Sequence, residues 1–361
     1  MEAKNLRKAP FVFVGTYTET EGSQSEGIYI YHMDPSSGEL ILERVVKNIL
    51  NPSFLEIHPT GHFLYGVNEV QNYGDRAGGG LSAFSINTAE VPFLNNQLSH
   101  GSDPCYVSIE QTGRFALVAN YTSGSVAVFP IQSDGRLNPA SDVIQHVGSS
   151  IHPERQTGPH AHSILPDPTN RFAVAVDLGL DKLLVYQMDL EHGKLNHSHD
   201  VDVQPGAGPR HLTFHPNTQF AYLINELNST VIGYRYSSEM GIFEAMQTVP
   251  TLPEDFKGKN LCADIHVTPN GKYLYASNRG HNSLVWFRVE ENTCQLTYQG
   301  HIPTGGREPR NFAIDPSGTF LLVANQKSNN IVTFKINAES GELFETGHAA
   351  EVFMPVCLKF A

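Results

Sequence analysis

From Pro209 to Glu226 the chain reads PRHLTFHPNTQFAYLINE, with large apolar residues alternating against smaller or polar ones on both sides of a His-Pro-Asn-Thr turn. Period-two alternation bounded by turn residues predicts two short antiparallel strands. The same pattern returns over 51–69, 103–121, 158–178, 261–279 and 308–326. In every copy the aromatic residue after the turn (Phe63, Phe115, Phe172, Phe220, Tyr273, Phe320) stands five residues before a polar one (Asn68, Asn120, Asp177, Asn225, Asn278, Asn325). A third alternating run follows each copy, as in SVAVFPI or SLVWFRV, and most copies add a fourth after a turn such as SGEL.

The two ends of the chain supply a seventh copy. MPVCLKF (354–360) has the pattern of a first strand, and FVFVGTYT (11–18) with GIYIYHM (27–33) that of a second and third. Four-stranded units of about 50 residues, joined tail to head, predict an all-β chain: a single seven-bladed β-propeller domain over 1–361, its ring closed by N- and C-terminal strands in one blade. Length alone would suggest two or three domains, but two separate domains would not explain a split repeat.

Charge and cysteine usage narrow the function classes. Asp and Glu number 37 against 24 Lys and Arg, a formal net charge of -13, and no basic run could track a phosphate backbone, so nucleic acid and membrane are not expected partners. Cys105, Cys262, Cys294 and Cys357 lack any C-x-x-C spacing, which argues for reduced thiols rather than a zinc site or redox pair. The apolar run FVFVG after the basic N-terminus is too short for a signal-peptide core, so a cytoplasmic location is expected. No G-x-S-x-G, H-E-x-x-H or phosphate loop is present, and GGG at 78–80 falls in a blade loop. No cofactor is expected.

In a propeller blade the first strand lines the channel and the second runs antiparallel beside it. The start of the one and the end of the other therefore meet at the same mouth. The first-strand position gives Ser53, Cys105, His162, Arg210, Ala263, Arg310 and Val356 around the ring; the second-strand position gives Tyr17, Glu69, Tyr121, Leu178, Glu226, Arg279 and Gln326. His162, Arg210, Glu226 and Arg279 arise in different blades yet converge, and they are the candidate catalytic residues. His160 lies in the connection just above His162. The blade-end Asn residues are read as holding loop amides. Guanidiniums suit an anionic substrate whose carbonyl develops charge, a neutral imidazole could activate water, and a carboxylate could orient it. A metal is not expected, because hard cations want several oxygen ligands and the guanidiniums would repel one.

The strings FVGTYT, HPERQTGPHAH, VAVDLGLDKL, PGAGPRHLTFHP, IHVTPNGKYLYASNRGH and PVCLKF resemble the lactonase family of seven-bladed propellers, which includes bacterial 6-phosphogluconolactonases and fungal carboxymuconate lactonising enzymes. The resemblance covers nearly the whole chain. It implies hydrolysis of 6-phospho-D-glucono-1,5-lactone, a small anionic sugar-phosphate lactone, in the oxidative pentose phosphate pathway. It carries the family's active-site groups onto His162 in PHAHS, Arg210 in GPRH, Glu226 in INEL and Arg279 in SNRGH, and implies substrate contacts at His160, Arg155, Asp177, His211, His266 and Arg310. In this reading His162 or His160 activates water, Arg210 and Arg279 bind the phosphate or the oxyanion, and Glu226 positions imidazole or water. Another lactone or a carboxymuconate would use the same mouth, and a non-enzymatic binding scaffold is the reading from a different class, since fold does not imply function.

Overall fold

The computed structural model describes residues 10–86 and 91–361. Residues 1–9, on which part of the expectation about a leader rests, lie outside that range. Among the described residues there is no helix, and seven antiparallel four-stranded sheets make up the ring, with one small hairpin, Asn72–Tyr73 and Arg76–Ala77, in the loop before the GGG run. Blade 1 takes its inner strand from the C-terminus, Pro355–Phe360, and continues outward through Phe11–Thr16, Gly27–Met33 and Leu40–Lys47. The inner strands of blades 2 to 7 are Leu55–Ile57, Pro104–Ile109, Ala161–Pro166, Pro209–Phe214, Leu261–Val267 and Pro309–Ile314, and each blade runs outward in chain order. The propeller and its closure are as the repeat predicts, and every blade has its fourth strand.

Apolar burial sits between blades. Second strands such as Phe115–Asn120, Phe172–Asp177 and Phe220–Asn225 are buried along their whole length, because each blade is covered on both faces, while outer strands alternate with solvent. The repeated aromatic gains its partner from the next blade. The glycines of the outer turns, Gly135, Gly193, Gly241 and Gly341, all have positive φ, and a Cβ on any of them would lie 3.0 Å or less from the ring of Phe63, Phe115, Phe172 or Tyr273 respectively. That close approach explains why turn glycine and aromatic recur together.

What positions the site is a bulge repeated around the ring. In blade 4 Ala161 pairs with Asp177 and Ser163 with Val176, leaving His162 as the extra residue. Cys105, Arg210, Arg310 and Val356 are skipped in the same way, and in blade 6 the shift falls between Cys262 and Ile265. A bulge bends its strand and re-aims the extra side chain, here toward the channel mouth. Below it the strand resumes its alternation, so Tyr106, Ser163, His211, Asp264 and Asn311 form a second tier, and Leu165, Thr213, His266 and Lys359 face the rear mouth.

Candidate active site

The front mouth encloses a cavity of about 230 Å³ lined by Glu69, Cys105, Tyr121, Arg155, His162, Glu226, Leu261, Arg279 and Arg310. Glu226 is its hub. Its Oε1 accepts from Arg155 Nη2 (2.6 Å), and its Oε2 accepts from Arg210 Nε (3.1 Å) and lies 2.8 Å from Arg279 Nη2. Arg210 Nη1 also donates to Ala263 O (2.5 Å) and Arg279 Nη2 to Cys262 O (3.0 Å), which ties both to the inner strand of blade 6. Burial alone would raise the Glu226 carboxyl, but Arg279, Arg210 and Arg155 hold it at about 2.

Arg310 is placed differently. Its guanidinium lies over the Tyr17 ring, 5.5 Å from the centroid, and among the described residues it has no carboxylate within ion-pair distance. Burial would lower its pKa, but the fields of Tyr17, Glu69 and Glu226 more than offset this, so it remains a cation. Glu69 accepts from Tyr17 OH (2.9 and 3.0 Å to its two oxygens) and from the Ser53 hydroxyl. Burial raises the Glu69 carboxyl against the opposing field of Arg310.

His162 is 4% exposed. Burial, then Arg210, His211 and Arg310, push it well below the ordinary 6.5, so its imidazole is neutral at pH 7. Cys105 Sγ donates to His162 O (3.3 Å) and lies 3.7 Å from His162 Nδ1. Burial pushes that thiol up, so it is not a thiolate nucleophile. Tyr121 OH accepts from Arg155 Nη2 (3.0 Å), which leaves its own proton free to donate.

Behind this layer the second tier forms a relay. Arg210 Nη1 donates to His211 Nε2 (3.2 Å), His211 Nδ1 donates to Asp264 Oδ1 (2.8 Å), and Asp264 Oδ2 takes His266 Nε2 (2.9 Å) and Asn311 Nδ2 (2.5 Å). Burial, then Arg210, brings His211 down to about 4 although Asp264 opposes the shift; it is therefore neutral, with the tautomer that accepts from Arg210. Asp264 fixes that tautomer. His211, Asp264 and His266 line a separate rear cavity of about 360 Å³ with mixed walls, in which Phe54, Phe214 and Phe360 stand beside Asn311 and Lys359. It is the larger space, but it lacks the converging guanidiniums.

The four candidate catalytic residues are thus brought together, and Arg155 and Arg310 join them. Several expected roles need correction. Arg210 and Arg279 are each bound to Glu226 and to a backbone carbonyl, so the protein sets their placement, and Glu226 is occupied by guanidiniums rather than by an imidazole. Asp177 is fully buried: it accepts from His146 Nδ1 (2.6 Å) and from the amides of His160, Gly179 and Leu180, and so holds a loop rather than a substrate. His160 stacks on Tyr121 (4.6 Å) with Nδ1 on Tyr121 O (3.0 Å), at the rim. His211 and His266 line the rear cavity rather than the front one, because each lies further along its inner strand than the bulge that aims a side chain at the front mouth. The blade-end amides do hold loops: Asn68, Asn278 and Asn325 donate to Leu50 O, Thr251 O and Thr304 O. Glu69 and Tyr121 were in the aligned ring positions without being singled out, and Asp264 lies one column beyond them.

The chain matches the family model for the lactonase seven-bladed β-propeller over residues 11–360. It is 38% identical over 305 residues to a 6-phosphogluconolactonase of Bacillus subtilis, covering 84% of each chain. It is 37% identical over 311 residues to one of Formosa agariphila, covering 84% of this chain and 86% of the relative. Among solved structures, a periplasmic gluconolactonase of Pseudomonas aeruginosa superposes with a TM-score of 0.92 at 35% identity, over 98% of this chain and 99% of that one. With the fold, the closing blade and the matched length in agreement, the chain belongs to the lactonase family of seven-bladed β-propellers.

Proposed function

We propose that this protein hydrolyses 6-phospho-D-glucono-1,5-lactone to 6-phosphogluconate in the oxidative pentose phosphate pathway, with the front cavity as its active site. The observation that carries this reading is a neutral, buried His162 sharing a cavity with Arg310, a guanidinium without a carboxylate partner among the described residues. Two curated relatives bearing the name 6-phosphogluconolactonase support the choice of lactone.

The substrate phosphate pairs with Arg310, the one arginine of the cavity not committed to Glu226. His162 takes a proton from water as that water attacks the lactone carbonyl. Hydrogen-bond donors fixed in advance stabilise the oxyanion that forms, and Arg155 with Tyr121 OH supplies them. Glu226 sets the geometry of three guanidiniums at once, and Arg210 is held from behind by His211 and Asp264. His160 is not the base in this reading, because it stacks on Tyr121 at the rim and does not line the cavity.

The test compares phosphorylated with unphosphorylated glucono-1,5-lactone in wild type and Arg310→Ala. Loss of a charge-assisted contact of roughly 1.5–3 kcal/mol should raise KM for the phosphorylated lactone by about ten- to a hundredfold and leave the unphosphorylated one nearly unchanged. Equal effects on both, or a wild-type preference for the unphosphorylated lactone, would count against the phosphate reading and favour the substrate class named for the Pseudomonas relative.

A further inference from the structure

Opening a lactone requires the ring oxygen to leave as an alcohol, and an alkoxide leaves poorly unless a proton reaches it as the bond breaks. Of the groups assigned so far, the imidazolium that His162 becomes as water attacks is the one that carries a proton to give, and using it would make one side chain both base and acid. Glu226 is held ionised by three guanidiniums. Tyr121 is a weak acid made weaker by burial, and the Cys105 thiol is bonded to a backbone carbonyl.

We propose that Glu69 is a second catalytic residue of this chamber, the proton donor to the departing ring oxygen; the inference rests on the lactonase reading above. Glu69 lines the cavity at the blade position equivalent to Glu226, yet its surroundings are opposite. Its bonded partners are two neutral hydroxyls, Tyr17 and Ser53, and among the described residues no lysine or arginine lies within ion-pair distance. The charged or titratable groups around it are Tyr17 from blade 1, Arg310 from blade 7, and Asp103 and Cys105 from blade 3. Arg310 is the cation among these, and a phosphate seated on Arg310 would offset its field, favouring the protonated carboxyl when substrate is bound. Two carboxyls in one site with environments that drive their protonation apart are the arrangement that separates acid from base roles.

The protons and bonds balance as follows. Water adds to the carbonyl carbon while His162 takes one of its protons, and the carbonyl electron pair moves to oxygen. That pair re-forms the C=O bond as the bond from carbon to the ring oxygen breaks, and the ring oxygen takes the proton of Glu69. The imidazolium of His162 returns a proton to the Glu69 carboxylate through water, and the product acid ionises into solvent.

The experiment follows kcat, KM and the pH profile of 6-phosphogluconolactone hydrolysis, corrected for spontaneous opening, in wild type, Glu69→Gln and Glu69→Asp. Glutamine keeps the shape and accepts from the same hydroxyls but has no proton to transfer. The proposal expects kcat to fall about a hundredfold with KM and melting temperature near wild type, and the alkaline fall of kcat to vanish in Glu69→Gln. A Glu69→Gln enzyme within a few-fold of wild type, or one that keeps the alkaline fall, would overturn it. Should that variant not fold, Glu69→Asp decides: a displaced alkaline limb supports the assignment and an unmoved one rejects it. A wild type no faster than background would sink the lactonase reading itself, whereas wild-type turnover with an indifferent Glu69→Gln sinks this inference alone.

Discussion

The site depends on one side chain whose protonation state is set by burial and neighbouring charge. His162 is enclosed and faces Arg210 and Arg310, both of which oppose a second cation. Histidine-ring NMR should therefore show a resonance, identified by its absence in His162→Gln, that stays in the neutral form as the pH falls through 6.5. A His162 signal moving at or above 6.5 would contradict the account. At this scale the sequence was informative about which residues meet and poor about what they do. Repeat alignment placed Arg210, Arg279 and Arg310 at one mouth, but the pairing of the first two with Glu226 depends on side-chain reach, which spacing does not encode. His211 follows the bulged Arg210 directly and lines the rear cavity, and nothing in the sequence marks the bulge that separates the two.

At the scale of the element, strands and turns were legible because each carries a local signal, period two for the strand and Gly, Asn or Pro for the turn. The bulges were not, since an extra residue in a strand leaves no mark on composition; only the recurrence of Cys105, His162, Arg210 and Arg310 at one aligned position hinted at them. Interblade contacts were also hidden. The turn glycine recurs in sequence, but its reason is the aromatic ring of the neighbouring blade. Gly341 combines φ of 69° with a Cβ position 2.3 Å from Tyr273 Cδ1, so Gly341→Ala must displace that ring. Overpacking of this kind costs about 1–3 kcal/mol. Calorimetry should show a lowered melting temperature with turnover at permissive temperature retained, because the contact is remote from the front cavity; unchanged stability would refute the packing argument.

Taken whole, the molecule depends on its closure. The C-terminal strand pairs with Phe11–Thr16, Leu358 N donates to Asn311 Oδ1 (2.7 Å), and Lys359 Nζ meets Glu56 at 2.8 Å, joining blade 1 to blades 7 and 2. Ending the chain at Met354 would open the ring and leave edge strands unpaired. Such a chain is expected to aggregate or to lose its single cooperative unfolding transition, and a truncated protein that melts like the full chain would show that closure is dispensable. The split blade was readable because both fragments keep the repeat pattern. The chamber's electrostatics were only half readable: composition reports a net charge of -13, whereas the front mouth gathers Arg155, Arg210, Arg279 and Arg310 against Glu69 and Glu226. A local cationic site within an anionic protein focuses the field on its substrate.

The central claim is that a lactone is hydrolysed in this chamber by water that His162 activates. The most direct measurement is the rate of 6-phosphogluconolactone loss, with the lactone generated in situ and followed by NMR against the spontaneous background, for wild type, His162→Gln and the surface variant Arg136→Ala. General-base catalysis contributes about a hundredfold or more, so the account predicts a wild-type rate well above background, a comparable rate in Arg136→Ala, and a loss of at least that size in a folded His162→Gln. A wild type at background, or a His162→Gln protein as fast as wild type, would contradict it.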